Sequence, residues 1–200
     1  MKSYKSIIKS AETELIVKHS RFIATAHPVH DADCAESQIT DIRNRYKDAT
    51  HNCFAYIIDE ARIRFSDDGE PQGLAGAPIL SVIKKRGLEK VLIVVTRYYG
   101  GIKLGGGGLV YSYSAAASAV LDKAGLKTFS PSVEAKLRLN YEQVKIAGLI
   151  IKQHDADISK IEYKDVVHYS LFIEQEKWQE LKSAILKMDI KIEEESCKFR

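Results

Sequence analysis

VLIVVTRYYGGIKLGGGGLVYSYSAAASA, residues 91–119, reads as a strand, a glycine-rich loop and a helix in immediate succession. Residues 91–95 are a continuous apolar run dominated by β-branched side chains, the composition of a strand covered on both faces. From Leu109 onward the apolar or small positions Tyr113, Ala116, Ala117, Val120, Leu121 and Ala124 follow helical spacing, and Gly125 is a natural stop. Between strand and helix stand Gly100, Gly101, Gly105, Gly106, Gly107 and Gly108, six of the 12 glycines in the chain, which is more than compositional drift. Glycine permits positive φ and bares backbone N–H groups, so glycines placed after a strand and before a helix can wrap an anion, phosphate above all, at the helix amino terminus.

The flanking residues fit that chemistry. Arg97 offers a bidentate fork, Lys103 a point charge, and Tyr98 and Tyr99 offer rings on which a base can stack. The competing reading is a tight turn with tyrosines packed into the core. The Walker pattern GxxxxGK[ST] is absent, and the glycines do not fit the dinucleotide-binding fingerprint with its later acidic partner.

A second loop, SDDGEPQGLAGAP at 66–78, holds Asp67, Asp68 and Glu70. Three carboxylates in four residues suit a hard metal such as magnesium, an ordinary Asp/Gly turn, or a Glu70 that pairs with a basic residue to fix the loops. Arg97 buried against Glu70 would mark that pair as scaffold. His51 and Cys53 share one face of a strand; a packed thiol beside a polar histidine explains them better than a nucleophile pair without an orienting group. No metal and no cofactor is assigned.

Outward from this centre, residues 15–17 and 22–24 read as a hairpin, residues 31–46 as a helix with Ala35, Ile39, Ile42 and Tyr46 on one face, residues 53–58 and 63–65 as two further strands, and residues 79–85 as a helix. Turn residues at 129–132 mark a linker, after which strand 134–141, helix 142–154, strands 157–163 and 166–174, helix 175–188 and strand 190–196 form a βαββαβ order. The expected fold class is α+β, with domains at 1–132 and 133–200.

Composition sets outer limits. At 45% hydrophobic, 28% charged and only 4 prolines in 200 residues, the chain can bury a core. No segment reaches the ~18 apolar residues of a membrane span, and the amino terminus lacks an apolar run of signal-peptide length, so a cytoplasmic protein without membrane contact is expected. Three cysteines without CxxC spacing argue against a disulfide framework. The net charge of +3 does not announce a nucleic-acid binder, but residues 84–103 hold Lys84, Lys85, Arg86, Lys90, Arg97 and Lys103 against Glu89 alone, a local basic stripe.

With these residues in view the chain resembles the IMPACT family, including its bacterial YigZ-like members, over essentially its full length. The resemblance rests on SRFIA at 20–24, ATHNCFAY at 49–56, SDDGEPQGLAGAPIL at 66–80 and VVTRYYGGIKLGGGGLVYSYSAAA at 94–117. The chain departs from the family pattern at Leu74, Gly106, Tyr111 and Ile57, two of which replace polar or basic groups. The resemblance implies an amino-terminal ribosomal-protein-like α/β sandwich similar to elongation factor G domain IV, and a carboxy-terminal ferredoxin-like domain similar to domain V of that factor. Eukaryotic relatives are tied to control of translation initiation under amino-acid starvation through a separate amino-terminal partner-binding domain, which is not carried over to this chain. The function expected is a translation-related regulator that binds RNA or the ribosome through the glycine-rich segment, with a regulatory protein partner as a further expectation. The alternatives are a metal-dependent enzyme acting on a phosphorylated small molecule or nucleotide, and a protein-interaction module whose glycine segment is purely structural.

Overall fold

The computed structural model describes residues 2–200; Met1, where the expected amino-terminal domain begins, lies outside the described residues. The chain divides into two compact units, Tyr4–Thr128 and Phe129–Arg200, with residues 2–3 grouped with the second.

The amino-terminal unit runs β1 (Tyr4–Ile7), β2 (Ala11–Val17), β3 (Ser20–Pro28), α1 (Ala32–Arg45), β4 (His51–Ile57), β5 (Ile63–Ser66), α2 (Gly76–Lys85), β6 (Val91–Tyr98), α3 (Gly105–Ala124) and β7 (Leu126–Phe129). Five strands form one antiparallel sheet in the order β2-β3-β6-β4-β5, and β1 pairs with β7 in a small second sheet. The apolar run of β6 makes it the central strand. Val91, Ile93 and Val95 meet α2 and α3 through Ile79, Ile83, Tyr113 and Val120, whereas Leu92 and Val94 meet Ala35, Ile39 and Ile42 of α1 on the other face. Both faces are therefore covered, as the unbroken hydrophobicity of residues 91–95 requires. Asp31 caps α1 by accepting the Cys34 N–H at 2.8 Å.

Several element starts differ from the sequence reading, with β2 opening at Ala11 rather than residue 15 and β4 at His51 rather than residue 53; the two that shape the site are helices. Helix α2 opens at Gly76 rather than residue 79, and α3 opens at Gly105 rather than Leu109, so the four consecutive glycines are the first turn of the helix instead of a loop before it. Glycine is a poor helix former, but the first-turn N–H groups have no intrahelical acceptors to lose, and Gly105 enters the helix at φ +73°, a left-handed value that favours glycine. The loop proper is the short run 99–104.

The carboxy-terminal unit runs β8 (Pro131–Leu139), α4 (Val144–Gln153), β9 (Asp157–Tyr163), β10 (Val167–Glu174), α5 (Gln175–Leu186) and β11 (Lys191–Phe199), a βαββαβ order with an antiparallel sheet arranged β11-β8-β10-β9. Val167, Tyr169, Leu171 and Ile173 alternate inward from β10 to meet Ala147, Ile151, Trp178, Leu181 and Ile185, so one face of the sheet carries both helices. The linker expected at 129–132 is instead the junction of two strands. Ser130, the single residue between β7 and β8, exchanges both backbone hydrogen bonds with Arg200, which ties the segment to the end of β11.

Candidate functional site

One end of the five-stranded sheet gathers the distinctive segments. In the β3-β6-β4 register, Phe22 and His51 lie on either side of Arg97, and the loop after β5 folds under them. The glycine at 100 is demanded by this convergence: a Cβ there would stand 2.0 Å from the carbonyl carbon of His19. Its N–H donates to Ser20 Oγ at 3.2 Å, and Thr50 Oγ1 accepts the Tyr99 N–H at 3.0 Å, which fixes the path of the chain out of β6.

Arg97 is only 5% exposed. Its Nη1 donates to Glu70 Oε1 at 2.6 Å and its Nη2 to Ser20 Oγ at 3.3 Å, with the guanidinium between the rings of Phe22 and Tyr99. Tyr113 OH donates to the same Glu70 oxygen at 2.7 Å, and His51 Nε2 lies 4.0 Å from the other. His51 Nδ1 faces the Asp68 carbonyl at 2.8 Å; a carbonyl only accepts, so the proton sits on Nδ1. The buried Arg97–Glu70 pair is a scaffold element, and the expectation of Arg97 as a free phosphate fork is corrected accordingly: two of its nitrogens are spent on holding the loops. Its Nε is buried and has no hydrogen-bond partner among the described residues.

The acidic loop disperses its carboxylates. Asp67 accepts from the backbone N–H groups of Gly73, Ala75 and Gly76 at 2.8–3.0 Å and thereby caps α2 from a distance. Asp68 accepts from the Asn52 N–H at 2.7 Å and from Arg43 Nη2 at 2.6 Å. Glu70 belongs to Arg97 and Tyr113. The three side chains that were candidates for one hard-metal site therefore serve three different partners. Cys53 is fully buried, its thiol donating to the Asp67 carbonyl at 2.9 Å and lying 3.4 Å from Tyr113 OH; burial pushes it from 9.0 to about 12, so it is a protonated packing residue rather than a nucleophile. Burial likewise raises the Tyr113 phenol.

Beside this network lies an open cavity of about 440 Å³, lined by Pro71, Leu74, Tyr99, Lys103, Gly105 and Gly106 among others, with Glu70 and Arg97 in its wall. Helix α3 begins there without any side-chain cap and without an acidic residue in its first turn. The N–H groups of Gly105, Gly106 and Gly107 find no acceptor within the helix, and the macrodipole adds partial positive charge. The contrast with α2 is direct, since that helix has its amino terminus filled by Asp67. A Cβ on Gly106 or Gly107 would meet no tight contact, so the packing does not require glycine at either position.

Of the candidate residues, Arg97, Tyr99, Lys103, Gly105 and Gly106 line the cavity together. Gly107 and Gly108 continue the first turn of α3, and Gly100 and Gly101 shape the approach. Tyr98 does not take part: it alternates to the other face of β6 and donates its OH to Asp48 at 2.9 Å. His51, Asp67 and Asp68 brace the loop behind. The basic stripe of residues 84–103 is not one patch. Lys84 and Lys85 end α2 and Lys90 precedes β6, at the opposite end of the eight-residue strand, while Arg86 is held by Asp122 and Ser118 near the end of α3. Only Lys103 brings an exposed, unpaired cation to the cavity among the described residues. Sequence reading missed Ser20 and Tyr113 as polar members of the network; Tyr113 looked like one more core position on the apolar stripe of α3, and nothing in its spacing revealed a buried acceptor opposite its hydroxyl.

No helix among the described residues is long and apolar enough to cross a membrane. The family model for the Impact N-terminal domain matches residues 18–121, which contain all the segments that converge here. IMPACT family member YvyE of Bacillus subtilis is 38% identical over 183 residues, 90% of this chain and 81% of that protein. IMPACT family member YigZ of Escherichia coli is 34% identical over 155 residues, 76% of each chain. A crystal structure described as that of a hypothetical protein superposes with a TM-score of 0.66 at 28% identity, covering 96% of this chain and 97% of its own. The chain belongs to the IMPACT family.

Proposed function

We propose that this protein is a cytoplasmic, non-enzymatic regulator linked to translation, which holds RNA, free or within the ribosome, by phosphate contacts at the head of α3. The observation that carries the reading is the uncapped, glycine-built amino terminus of α3 opening beside Lys103 onto a concave surface. Within the same proposal, residues 1–132 act as the elongation factor G domain IV-like module, and residues 133–200, as a ferredoxin-like domain, supply a second contact surface. The metal-dependent alternative is disfavoured because Asp67, Asp68 and Glu70 are each committed to separate partners in the fold.

Fluorescence anisotropy with a labelled single-stranded RNA, repeated over a salt series, tests the reading. Binding at low salt that weakens as salt rises, and that is reduced by Lys103→Ala and Gly107→Ala, is expected. Absence of binding at low salt, or unchanged binding by both variants, rejects it. Thermal shift with nucleotides and magnesium covers the enzymatic alternative, which requires a saturable, magnesium-dependent shift accompanied by turnover.

A further inference from the structure

We infer that the ligand at the head of α3 is a terminal phosphomonoester of a nucleotide, free or at the end of an RNA chain, with its phosphate on the helix amino terminus and its base against Tyr99. The inference rests on the phosphate reading of these glycines and narrows it to a chemical class.

Three observations lead there. Cation density is low: among the described residues Lys103 is the single unpaired positive side chain at the cavity, because Arg97 is neutralised by Glu70 and the remaining basic residues of the 84–103 stripe stand at the far end of the sheet or are already bonded. A backbone running through a groove needs cations along its path, whereas one phosphate needs donors concentrated at a point. The walls are Pro71, Leu74, Leu104 and Leu109, which make an apolar recess rather than an electrostatic channel. A monoester carries a charge of about −1.5 to −2 and three acceptor oxygens, against one charge and two free oxygens for an internal diester. The donors here number three open N–H groups and one ammonium, which matches the former.

Arg97 supplies an independent sign. Its side chain is 7% exposed and lines the cavity, yet its Nε donates to nothing among the described residues. A buried N–H without an acceptor is costly, and an anion that enters the cavity and draws the Arg97 side chain toward it by a small shift would supply one. Tyr99 provides the neighbouring surface. Its backbone is pinned by Thr50, its ring lies 5.5 Å from the Arg97 guanidinium carbon, and it is 47% exposed, so it forms a shelf for a planar base. The open glycines fit the same picture. Helical Cβ atoms tilt toward the amino terminus, so side chains at 106 and 107 would lean into the space a phosphate occupies, although the fold itself leaves room for them.

The test uses the full chain and one decanucleotide sequence in three forms: 5′-phosphorylated, 3′-phosphorylated, and with hydroxyls at both ends. Adenosine 5′-monophosphate and adenosine serve as small probes, read by backbone amide NMR shifts at Gly105, Gly106 and Gly107. Affinity about tenfold higher for a phosphorylated end, amide shifts with the monophosphate but not with adenosine, and loss of both in a Gly107→Ala variant that melts normally are expected. Tyr99→Ala should weaken the monophosphate but not inorganic phosphate. Equal affinity for the three oligonucleotides, with no amide shifts from the monophosphate, overturns the inference while leaving the RNA reading in place. Failure of every oligonucleotide to bind, with the monophosphate still shifting the glycine amides, overturns the RNA reading and leaves this inference standing for a free nucleotide.

Discussion

At the residue scale, the chain contains glycines of two kinds, and they predict opposite outcomes. Gly100 is sealed against the His19–Ser20 backbone, so Gly100→Ala must push two central segments apart and should cost about 3 kcal/mol or more, read as a large fall in the denaturant midpoint. Gly107 faces open space inside a helix, so Gly107→Ala should leave stability unchanged or raise it by up to about 1 kcal/mol. A destabilised Gly107→Ala protein would sink the view that this glycine is kept for a ligand. Cys53 permits a different check. Its thiol is held protonated up to about pH 12 in the folded chain, against 9.0 as its ordinary value, so folding opposes ionisation. The contribution is fully present below pH 9 and is lost as pH rises from there toward 12; the raised Tyr113 phenol acts with the same sign. Stability measured by urea titration should therefore decline above pH 9, and a Cys53→Ser variant should decline less steeply. At pH 8 a thiol reagent should label the exposed Cys197 rapidly and Cys53 only after unfolding.

At the element scale, the two helices on one face of the sheet have amino termini treated in opposite ways. Asp67 fills that of α2 with two backbone hydrogen bonds, from Ala75 and Gly76, and holds Gly73 of the preceding loop with a third, so Asp67→Ala should cost about 2 kcal/mol and accelerate hydrogen exchange in the first turn of α2; unaltered exchange there would contradict the capping role. Gly106→Asp places the missing negative charge at α3 instead. It should stabilise the helix by about 0.3–1 kcal/mol through the macrodipole and abolish anion binding by repulsion, a combination that a purely structural glycine segment would not give. The start of α3 was also where sequence reading slipped. Periodicity located the helix from Leu109 because its apolar stripe begins there, and glycines carry no side-chain signal that could extend it by one turn. β1 went unread for a related reason: Tyr4–Ile7 is four residues long, and its partner β7 lies more than a hundred residues away. β6 and all the carboxy-terminal elements were legible, since burial on both faces of β6 and strict alternation on β10 leave patterns that depend on local order alone. The role of the Asp67–Glu70 loop was illegible because Asn52, Arg43, Arg97 and Tyr113, which claim its carboxylates, are brought to it only by the sheet.

At the scale of the whole molecule, two separate cores sit on one chain, and charge is distributed against the simplest electrostatic account. Leu171 lies at the centre of the second core; Leu171→Ala should cost about 2–5 kcal/mol and raise hydrogen exchange across β8–β11. Protection of β3, β4 and β6 should persist, and its loss in parallel would show that the units melt as one. The net charge of +3 suggests weak, diffuse attraction to nucleic acid, yet among the described residues the cavity at α3 gathers just one unpaired lysine with the partial charge of a helix terminus. Counterion release scales with the number of phosphates neutralised, at about −0.7 per phosphate on a single strand. If α3 holds one phosphate, the slope of log affinity against log salt should be about −0.7, and Lys103→Ala should bring it toward zero. A slope of about −4 or steeper would mean that binding runs along a stripe of basic side chains on another surface, and that the glycine head of α3 is a packing device after all.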